Sequence, residues 1–401
     1  MILASVNLLS VVLFFVALGL LISIHELGHL LTAKLFNVYC FEYSLGFGPK
    51  IFQKKGKGGE TDYSIRAIPL GGYVAMFGET ETIPEGVEVD PNRSLLAIKK
   101  WKRAIIMAAG VVLNFVLGFI LMLSNTLFFP QSFATNKITV QETINETPTL
   151  AFKAGLKTGD EIISVERQYL PEGLISEDYP LEKIDVSTYD DLWNKALAYV
   201  VPQNEDDVLN LTLNWIPVDN QNETNPEIKS YTFILRVENT QKTVSSCAGS
   251  EEIDEYKWAT IGISNYTYQK RLGFFEAIKT AGKDWWEAAT AIAEALGQLF
   301  IGKGFENLGG PVAILTTSST ALEIGFGTYL WLWGMISVNL GIFNLLPFPG
   351  LDGWHLLVVT IEGITKKEIP AKFKNIVSLV GMIILFAFMG FVFIKDIVGL
   401  F

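Results

Sequence analysis

Four stretches of the chain are almost continuously apolar over a length that can cross a lipid bilayer as a helix. About 20 apolar residues are enough for such a span. The four stretches run approximately from Leu8 to Leu31, from Ala104 to Phe129, from Tyr329 to Leu346 and from Ile376 to Val398. The pattern therefore predicts a polytopic α-helical membrane protein with about four transmembrane helices.

The regions between these stretches follow other periodicities. Residues 37–103 alternate short apolar segments with glycines, which predicts a region of small β-hairpins, either membrane-associated or in an ordinary cytoplasmic loop. Further along, Val208–Trp215 and Tyr231–Val237 predict strands of a separate α+β domain in residues 131–266. An alanine-rich stretch with paired aromatic residues, Leu272–Leu299, predicts an amphipathic helix at the membrane interface. A helix that packs on the preceding domain is the alternative.

The predicted order of segments has eight parts. It comprises a first transmembrane helix (1–36), the β-hairpin region (37–103), a second transmembrane helix (104–130), the α+β domain (131–266), the amphipathic helix with a linker (267–325), a third transmembrane helix (326–359), a loop (360–375) and a fourth transmembrane helix (376–401).

Composition supports a membrane protein and charge gives its orientation. Half of the 401 residues are hydrophobic and only 18% are charged, which is unusual for a soluble chain. Basic residues cluster in Lys99–Arg103 and Lys366–Lys374, directly before the second and fourth spans, whereas residues 137–271 hold 23 acidic against 12 basic residues. Because basic loops favour the cytoplasmic side, the two clusters are predicted to be cytoplasmic and the acidic domain extracytoplasmic.

A short polar motif lies near the end of the first apolar stretch. It reads His25-Glu26-Leu27-Gly28-His29. Residues four apart share one face of a helix, so both imidazoles can ligate one Zn²⁺ while Glu26 reaches the attacking water as a general base. The motif therefore predicts a catalytic zinc site inside the membrane.

A catalytic zinc ion takes a third protein ligand and keeps one position open. The candidate is Asp352, which follows the third apolar stretch in the segment Asn344–Gly353. Two prolines and two glycines break the helix in this segment, and such a break at membrane depth needs protein or water to satisfy its backbone. A carboxylate inside the membrane is costly and is usually functional. The alternative is that Asp352 only caps a following helix.

Together these motifs resemble the site-2 protease family of intramembrane zinc metalloproteases. The resemblance rests on HELGH, on the downstream Asn-x-x-Pro-x-x-x-x-Asp-Gly segment and on the domain between them, and it covers most of the chain. It implies that His25, His29 and Asp352 hold one Zn²⁺ per chain and that Glu26 is the catalytic base. It also implies that Asn344 holds the scissile strand or stabilises its oxyanion. Satisfaction of backbone groups at the helix break is the alternative role for Asn344.

The segment Thr147–Val165 resembles the Pro-x-x-x-Ala-Gly-Leu-x-x-Gly-Asp-x-Ile core of bacterial PDZ domains. This implies an extracytoplasmic PDZ-like domain that admits only shortened substrates. The implied substrates are single-span membrane proteins already trimmed by a site-1-type protease, such as anti-sigma factors, and signal-peptide remnants. The implied location is the bacterial plasma membrane, with the active site toward the cytoplasmic side. Membrane lipid is the other expected partner, and no nucleic acid is expected.

Two other functions could also use a metal site inside a membrane. A membrane scaffold with a purely structural metal would not need Glu26, because structural zinc requires no base. A metal transporter or sensor would need more ligands along a pathway, and beyond His355 the chain has no further histidine.

Asn114, inside the second span, is interpreted as an interhelical hydrogen-bonding residue, with a substrate contact as the alternative.

Overall fold

The structure is a computed structural model that describes residues 7–56, 59–78, 88–144, 146–170, 180–198, 202, 206–246, 249–303 and 309–398. The chain divides into two compact units. The first combines Met1–Pro130 with Arg271–Phe401, and the second is Gln131–Lys270.

The helices and strands are numbered along the chain. They are α1 (Leu8–Leu35), β1 (Cys40–Lys55), β2 (Asp62–Met76), α2 (Lys100–Phe128), β3 (Gln131–Val140), β4 (Thr143–Ile144), β5 (Thr147–Pro148), α3 (Leu150–Lys153), β6 (Glu161–Leu170), β7 (Glu182–Asp185), β8 (Val208–Ile216), β9 (Lys229–Ser246), β10 (Gly249–Trp258), β11 (Ile263–Lys270), α4 (Phe274–Phe300), α5 (Pro311–Ile324), α6 (Phe326–Leu345), α7 (Asp352–Thr365) and α8 (Ala371–Val398).

In the described part of the chain, four helices are long and apolar enough to cross a membrane: α1, α2, α6 and α8. This confirms the four apolar spans predicted from the sequence. Two boundaries differ from the prediction. The chain after the third span forms a separate helix, α7, which continues to Thr365 instead of ending near residue 359, and α8 begins at Ala371 instead of residue 376. Lys372 and Lys374 of the basic cluster before the fourth span therefore belong to its helix, whereas Lys366 and Lys367 precede it. Long charged side chains can extend from such a helix end to the interface.

Helix α2 packs between α1 and α6 and runs antiparallel to both. Glycines mark the two crossing points. Gly28 of α1 lies against the backbone of Ala109 and Gly110 of α2, and Gly118 of α2 lies against Gly334 of α6. A side chain at any of these glycines would collide with the neighbouring helix. Small residues thus allow the close backbone approach that drives helix association in membranes.

Strands β1 and β2 form one curled sheet, whereas the sequence predicted several small hairpins. Residues 40–45 pair antiparallel with 72–76, and residues 50–55 pair antiparallel with 62–66. The same stretch 42–45 also lies opposite 62–65, with the numbers rising together, so the two strands fold back into four paired segments. The glycines in the middle of each strand, including Gly46 and Gly71 at positive φ, bend the strands instead of separating them into small hairpins.

The second unit is built on a seven-stranded sheet. Its strand order is β10-β9-β8-β6-β3-β11, with β7 paired to β6. Alternate residues of β8 are buried, as one buried face of a sheet requires. The sheet covers a core that includes Ile138, Ile162, Leu211, Trp215 and Phe233. The unit extends to Lys270 because β11 pairs with β3 along its length.

Helix α4 has the two faces expected of an amphipathic helix, and it packs along α2. Trp285 Nε1 donates to the Phe115 carbonyl at 3.1 Å, and Thr126 Oγ1 donates to the Ala277 carbonyl at 3.1 Å. The two contacts show that α4 runs antiparallel to α2 over this stretch. Exposed Phe275, on the other face, is 84% accessible.

A buried carboxylate connects α7 to α2 and to the start of α8. Glu362 is 1% exposed. Its Oε1 lies 3.1 Å from Lys374 Nζ and accepts from the Ile369 N–H at 3.0 Å, and its Oε2 lies 3.7 Å from Arg103 Nη2. The Lys100 ammonium donates to the Glu362 carbonyl at 2.6 Å. These contacts fix the far end of the helix that begins at Asp352.

We expect Glu362→Ala to lower the free energy of unfolding by about 3 kcal/mol, because the substitution leaves buried Arg103 without its counter-ion. The midpoint of thermal unfolding in detergent, followed by tryptophan fluorescence, measures the effect. Glu323→Ala removes an exposed glutamate of α5 and should leave the midpoint unchanged. An equal midpoint for Glu362→Ala and the wild type would contradict this role.

The same contacts predict a pH dependence. Burial alone would raise the pKa of Glu362, but the Ile369 N–H, Lys374 and Arg103 outweigh it and hold the pKa below its ordinary value of 4.5. A lowered pKa of an acid contributes stability above the unfolded-state value and loses it as the pH falls through the folded-state value. The stability difference between wild type and Glu362→Ala should therefore shrink as the pH falls from 4.5 through the lower pKa that Glu362 has in the folded protein.

Candidate metal centre and active site

Both motif histidines lie on one buried face of α1. His25 is 6% and His29 is 5% exposed, and their Nε2 atoms are 3.3 Å apart. Helix α2 contacts the opposite nitrogen of each ring. The Ile106 carbonyl lies 2.8 Å from His29 Nδ1, and the Asn114 side-chain amide lies 3.1 Å from His25 Nδ1. A carbonyl can only accept, so His29 carries its hydrogen on Nδ1 and presents a lone pair at Nε2.

Asp352 is brought to the histidines by the first turn of α7. Its Oδ2 lies 2.9 Å from His25 Nε2 and 3.3 Å from His29 Nε2. The turn before α7 is tight, because Gly353 lies directly against the carbonyls of Leu345 and Leu346 at the end of α6. Helix α7 has Leu351 at its N-cap, and the Asp352 side chain makes no capping hydrogen bond. The carboxylate therefore faces the imidazoles and does not serve the alternative role of a helix cap.

The three atoms fit a metal ion. All three potential ligand atoms lie within 4.8 Å of one another. Tetrahedral zinc with bonds of about 2.0–2.1 Å separates its ligand atoms by about 3.3 Å, and the observed separations are 2.9, 3.3 and 3.3 Å. Asp352 Oδ2 is buried without a hydrogen-bond partner among the described residues. Asp352 Oδ2 and the lone pair of His29 Nε2 are both acceptors that face each other, and a cation between them removes their mutual repulsion.

Space for the ion is kept by Gly110 of α2. A Cβ atom at this position would collide with His29 Nε2 and would lie 2.9 Å from His25 Nε2. These are the two nitrogens that a metal ion would join. The absence of a side chain at Gly110 therefore leaves room for the ion, and helix spacing places Asn114 one turn further along the same face of α2.

Glu26 lines a cavity of about 140 Å³, which also borders the potential ligands His29 and Asp352. This is room for a few water molecules. The lining residues are Glu26, His29, Gly72, Tyr73, Val74, Met76, Met107 and Asp352. Glu26 is not one of the three ligand-forming residues, so its carboxylate is available to act on a molecule in the cavity.

One wall of the cavity is the end of strand β2. Gly72 lies close to the Glu26 side chain, where a Cβ atom would be 3.1 Å from Glu26 Cγ. The adjacent Tyr73 is fixed by charged neighbours on the curled sheet. Its hydroxyl accepts from Arg66 Nη2 at 2.7 Å and donates to Glu42 Oε2 at 3.0 Å. The curled sheet therefore places a rigid strand next to the candidate base.

The structure brings together four of the five predicted site residues. His25, Glu26, His29 and Asp352 surround the cavity or face the ligand position. Asn344, half-buried in the last turn of α6, is not among the residues that line this cavity. Its role stays a prediction.

Sequence reasoning missed the contribution of α2 to the site. Asn114 forms an interhelical contact, as the sequence suggested, but its partner is the candidate ligand His25. The Ile106 carbonyl and Gly110 carry no side-chain chemistry that a motif could reveal. The four-residue spacing of Gly110 and Asn114 could have indicated this contribution, because it puts a position without a side chain and a polar group on one helix face.

The arrangement of two helical histidines with an adjacent glutamate is typical of zinc-dependent peptidases. Here it occurs on α1, which is long and apolar enough to cross a membrane. The class defined by fold and site is therefore a membrane zinc metalloprotease.

Comparison with known proteins agrees with this class. Residues 13–388 match the family described as Peptidase family M50, and the chain belongs to this family, the site-2 proteases. A protein of Clostridium perfringens named as a zinc metalloprotease is 32% identical over 384 residues, covering 95% of this chain and 96% of its own length. A protein of Rickettsia conorii named in the same way is 29% identical, with 98% and 99% covered. The "Probable protease eep" of Enterococcus faecalis is 26% identical, with 93% and 94% covered.

Proposed function

We propose that this protein hydrolyses peptide bonds within the transmembrane segments of single-span membrane proteins. The observation that carries the proposal is the position of the site on α1. His25 is the eighteenth of the 28 residues of this helix, so the site lies about 26 Å from its first residue, at 1.5 Å per residue. A site at this depth is accessible to a peptide bond that is itself inside the membrane.

The roles of the residues follow from the geometry. His25 Nε2, His29 Nε2 and Asp352 Oδ2 would hold one Zn²⁺ per chain. When bound, zinc polarises the scissile carbonyl and makes the attacking water more acidic. The Glu26 carboxylate accepts the proton of that water and returns it to the leaving amine. Glu26 can do so because it lies beside the ligands without being one of them.

A transmembrane substrate must be unwound before its amides can react, since a helix buries them in hydrogen bonds. We propose that residues 72–76 of β2 bind the unwound segment by strand addition. Support comes from the position of Gly72, Tyr73 and Val74 in the cavity wall and from the hydrogen bonds that fix Tyr73. Asn344 is proposed to hold the scissile strand or to stabilise its oxyanion.

The substrates proposed are single-span proteins already trimmed by a site-1-type protease, including anti-sigma factors, and signal-peptide remnants. The second unit is proposed to be a PDZ-like domain that excludes intact ectodomains. Its acidic segment and the basic clusters before the second and fourth spans support an extracytoplasmic position for it and a cytoplasmic-side active site. The relatives named as metalloproteases are bacterial, which supports location in a bacterial plasma membrane.

Cleavage of a purified single-span reporter in lipid vesicles tests this function. We expect a reporter with a truncated ectodomain to be cut within its apolar segment, as mapped by mass spectrometry of the products. A chelator should abolish the cleavage, and about one equivalent of Zn²⁺ per chain should restore it, because the three ligand atoms define one ion. Chelator-resistant cleavage, or cleavage only outside the apolar segment, would refute the proposal. The same reporter with its intact ectodomain is the control for size exclusion.

A further inference from the structure

The side chain of Asn114 has one contact that the reaction described above does not use. Asn114 is fully buried in α2, and its amide nitrogen lies 3.1 Å from His25 Nδ1. Its other side-chain atom, Oδ1, is buried and has no hydrogen-bond partner among the described residues. A buried acceptor without a partner is costly, so the amide is only half satisfied in this orientation.

Metal binding requires the opposite orientation of this amide. With nitrogen toward the ring, His25 Nδ1 accepts and its hydrogen is therefore on Nε2, the atom that should ligate. If the amide turns by 180°, Oδ1 accepts from Nδ1–H and the Nε2 lone pair becomes free. Oxygen and nitrogen of an asparagine amide occupy interchangeable positions in such a turn. His29 needs no such change, because its Nδ1 already faces the Ile106 carbonyl.

We infer that Asn114 is a positioning residue that sets the tautomer and the ring plane of His25 for metal binding. The inference rests on the metal site proposed above. An amide suits this position because it supplies a donor in one orientation and an acceptor in the other, so His25 has a partner both with and without the metal. Hydrogen bonds that orient a metal-binding histidine in this way typically change metal affinity by 10–100-fold.

The backbone around Asn114 keeps the side chain in place. The Asn114 carbonyl accepts from Ser337 Oγ of α6 at 2.8 Å, and Ser337 is fully buried. Helix α2 is thus fixed against α6 at the same residue whose side chain reaches α1. The amide is therefore held between the helix that carries the histidines and the helix that leads to Asp352.

The test measures zinc affinity of the full-length protein in detergent by competition with a chelator. Asn114→Leu has a similar size and no polar group, and we expect its zinc affinity to fall by about 10–100-fold. Asn114→Asp always offers an acceptor, and it should bind zinc at least as tightly as the wild type. Asn125→Leu removes another buried polar amide from α2, eleven residues further on, and should leave zinc affinity unchanged. Bound Co²⁺ gives a second readout, since its visible absorption spectrum should shift in Asn114→Leu only.

The outcomes separate this inference from the function on which it rests. Equal zinc affinity of Asn114→Leu and wild type, or an equal loss in Asn114→Leu and Asn114→Asp, would overturn the positioning role. A wild type that binds zinc no better than Asp352→Asn would refute the metal site itself. The thermal midpoints of the metal-free proteins show whether a loss of affinity reflects a loss of fold.

Discussion

Glu26→Gln is expected to abolish peptide hydrolysis while the protein still binds zinc. Glutamine has nearly the shape of glutamate, but its amide cannot accept the proton of the attacking water. Loss of a general base costs about 10²–10⁴-fold in rate. Zinc binding should persist, because the potential ligand atoms belong to His25, His29 and Asp352. The combination of retained metal and lost turnover distinguishes a catalytic base from a ligand.

The measurement is the rate of cleavage of the truncated reporter, with the zinc content of the same preparation determined in parallel. Glu323→Gln, an exposed glutamate on α5, is the matched control and should cleave at the wild-type rate. Processing by Glu26→Gln at the wild-type rate would remove Glu26 from the mechanism. Loss of zinc together with activity would instead make Glu26 part of the metal site.

Gly110→Ala is expected to have the complementary effect, with loss of the metal while Glu26 is intact. The added methyl group would collide with His29 Nε2 and come within 2.9 Å of His25 Nε2. Both nitrogens would need to be about 2.0–2.1 Å from the ion. The methyl group and the ion therefore compete for the same space. Zinc affinity should fall by about a hundredfold or more, at the upper end of the effects of residues around a metal.

Gly19→Ala is the control for Gly110→Ala. It is also a glycine-to-alanine change within a membrane helix, but a Cβ atom there meets nothing within 4 Å. Alanine is the better helix former by about 1 kcal/mol, so helix propensity does not weaken either variant. Zinc titration and reporter cleavage compare the two proteins. Undiminished zinc affinity in Gly110→Ala would show that the ion does not lie between the histidines and α2.

The sequence was most informative where the chemistry is local. The i, i+4 spacing of His25 and His29 determines their common face on any helix, so their proximity needed no knowledge of the fold. Asp352 was less local, since it lies more than 300 residues away in the sequence. Asp352 could still be predicted from the sequence, because prolines and glycines interrupt an apolar helix there and leave a carboxylate at membrane depth.

The remaining parts of the site depend on how helices and strands pack. Asn114 contacts His25 only because Gly28 sets the crossing point of α1 and α2, and no single segment contains that information. The curled sheet shows a similar limit. Alternating apolar residues predicted strands correctly, but whether Gly46 and Gly71 end a strand or bend it is decided by the pairing of distant segments.

Gly28 also changes how the pentapeptide motif should be understood. In this motif the two positions between Glu26 and His29 can generally hold any residue. Here one of them, Gly28, lies against the backbone of Ala109 and Gly110. Transplanting the two histidines and the glutamate into an unrelated membrane helix would reproduce the ligands but not the neighbouring helix that buries and orients them. To build such a site into another membrane protein, one would therefore have to transfer both crossing helices together.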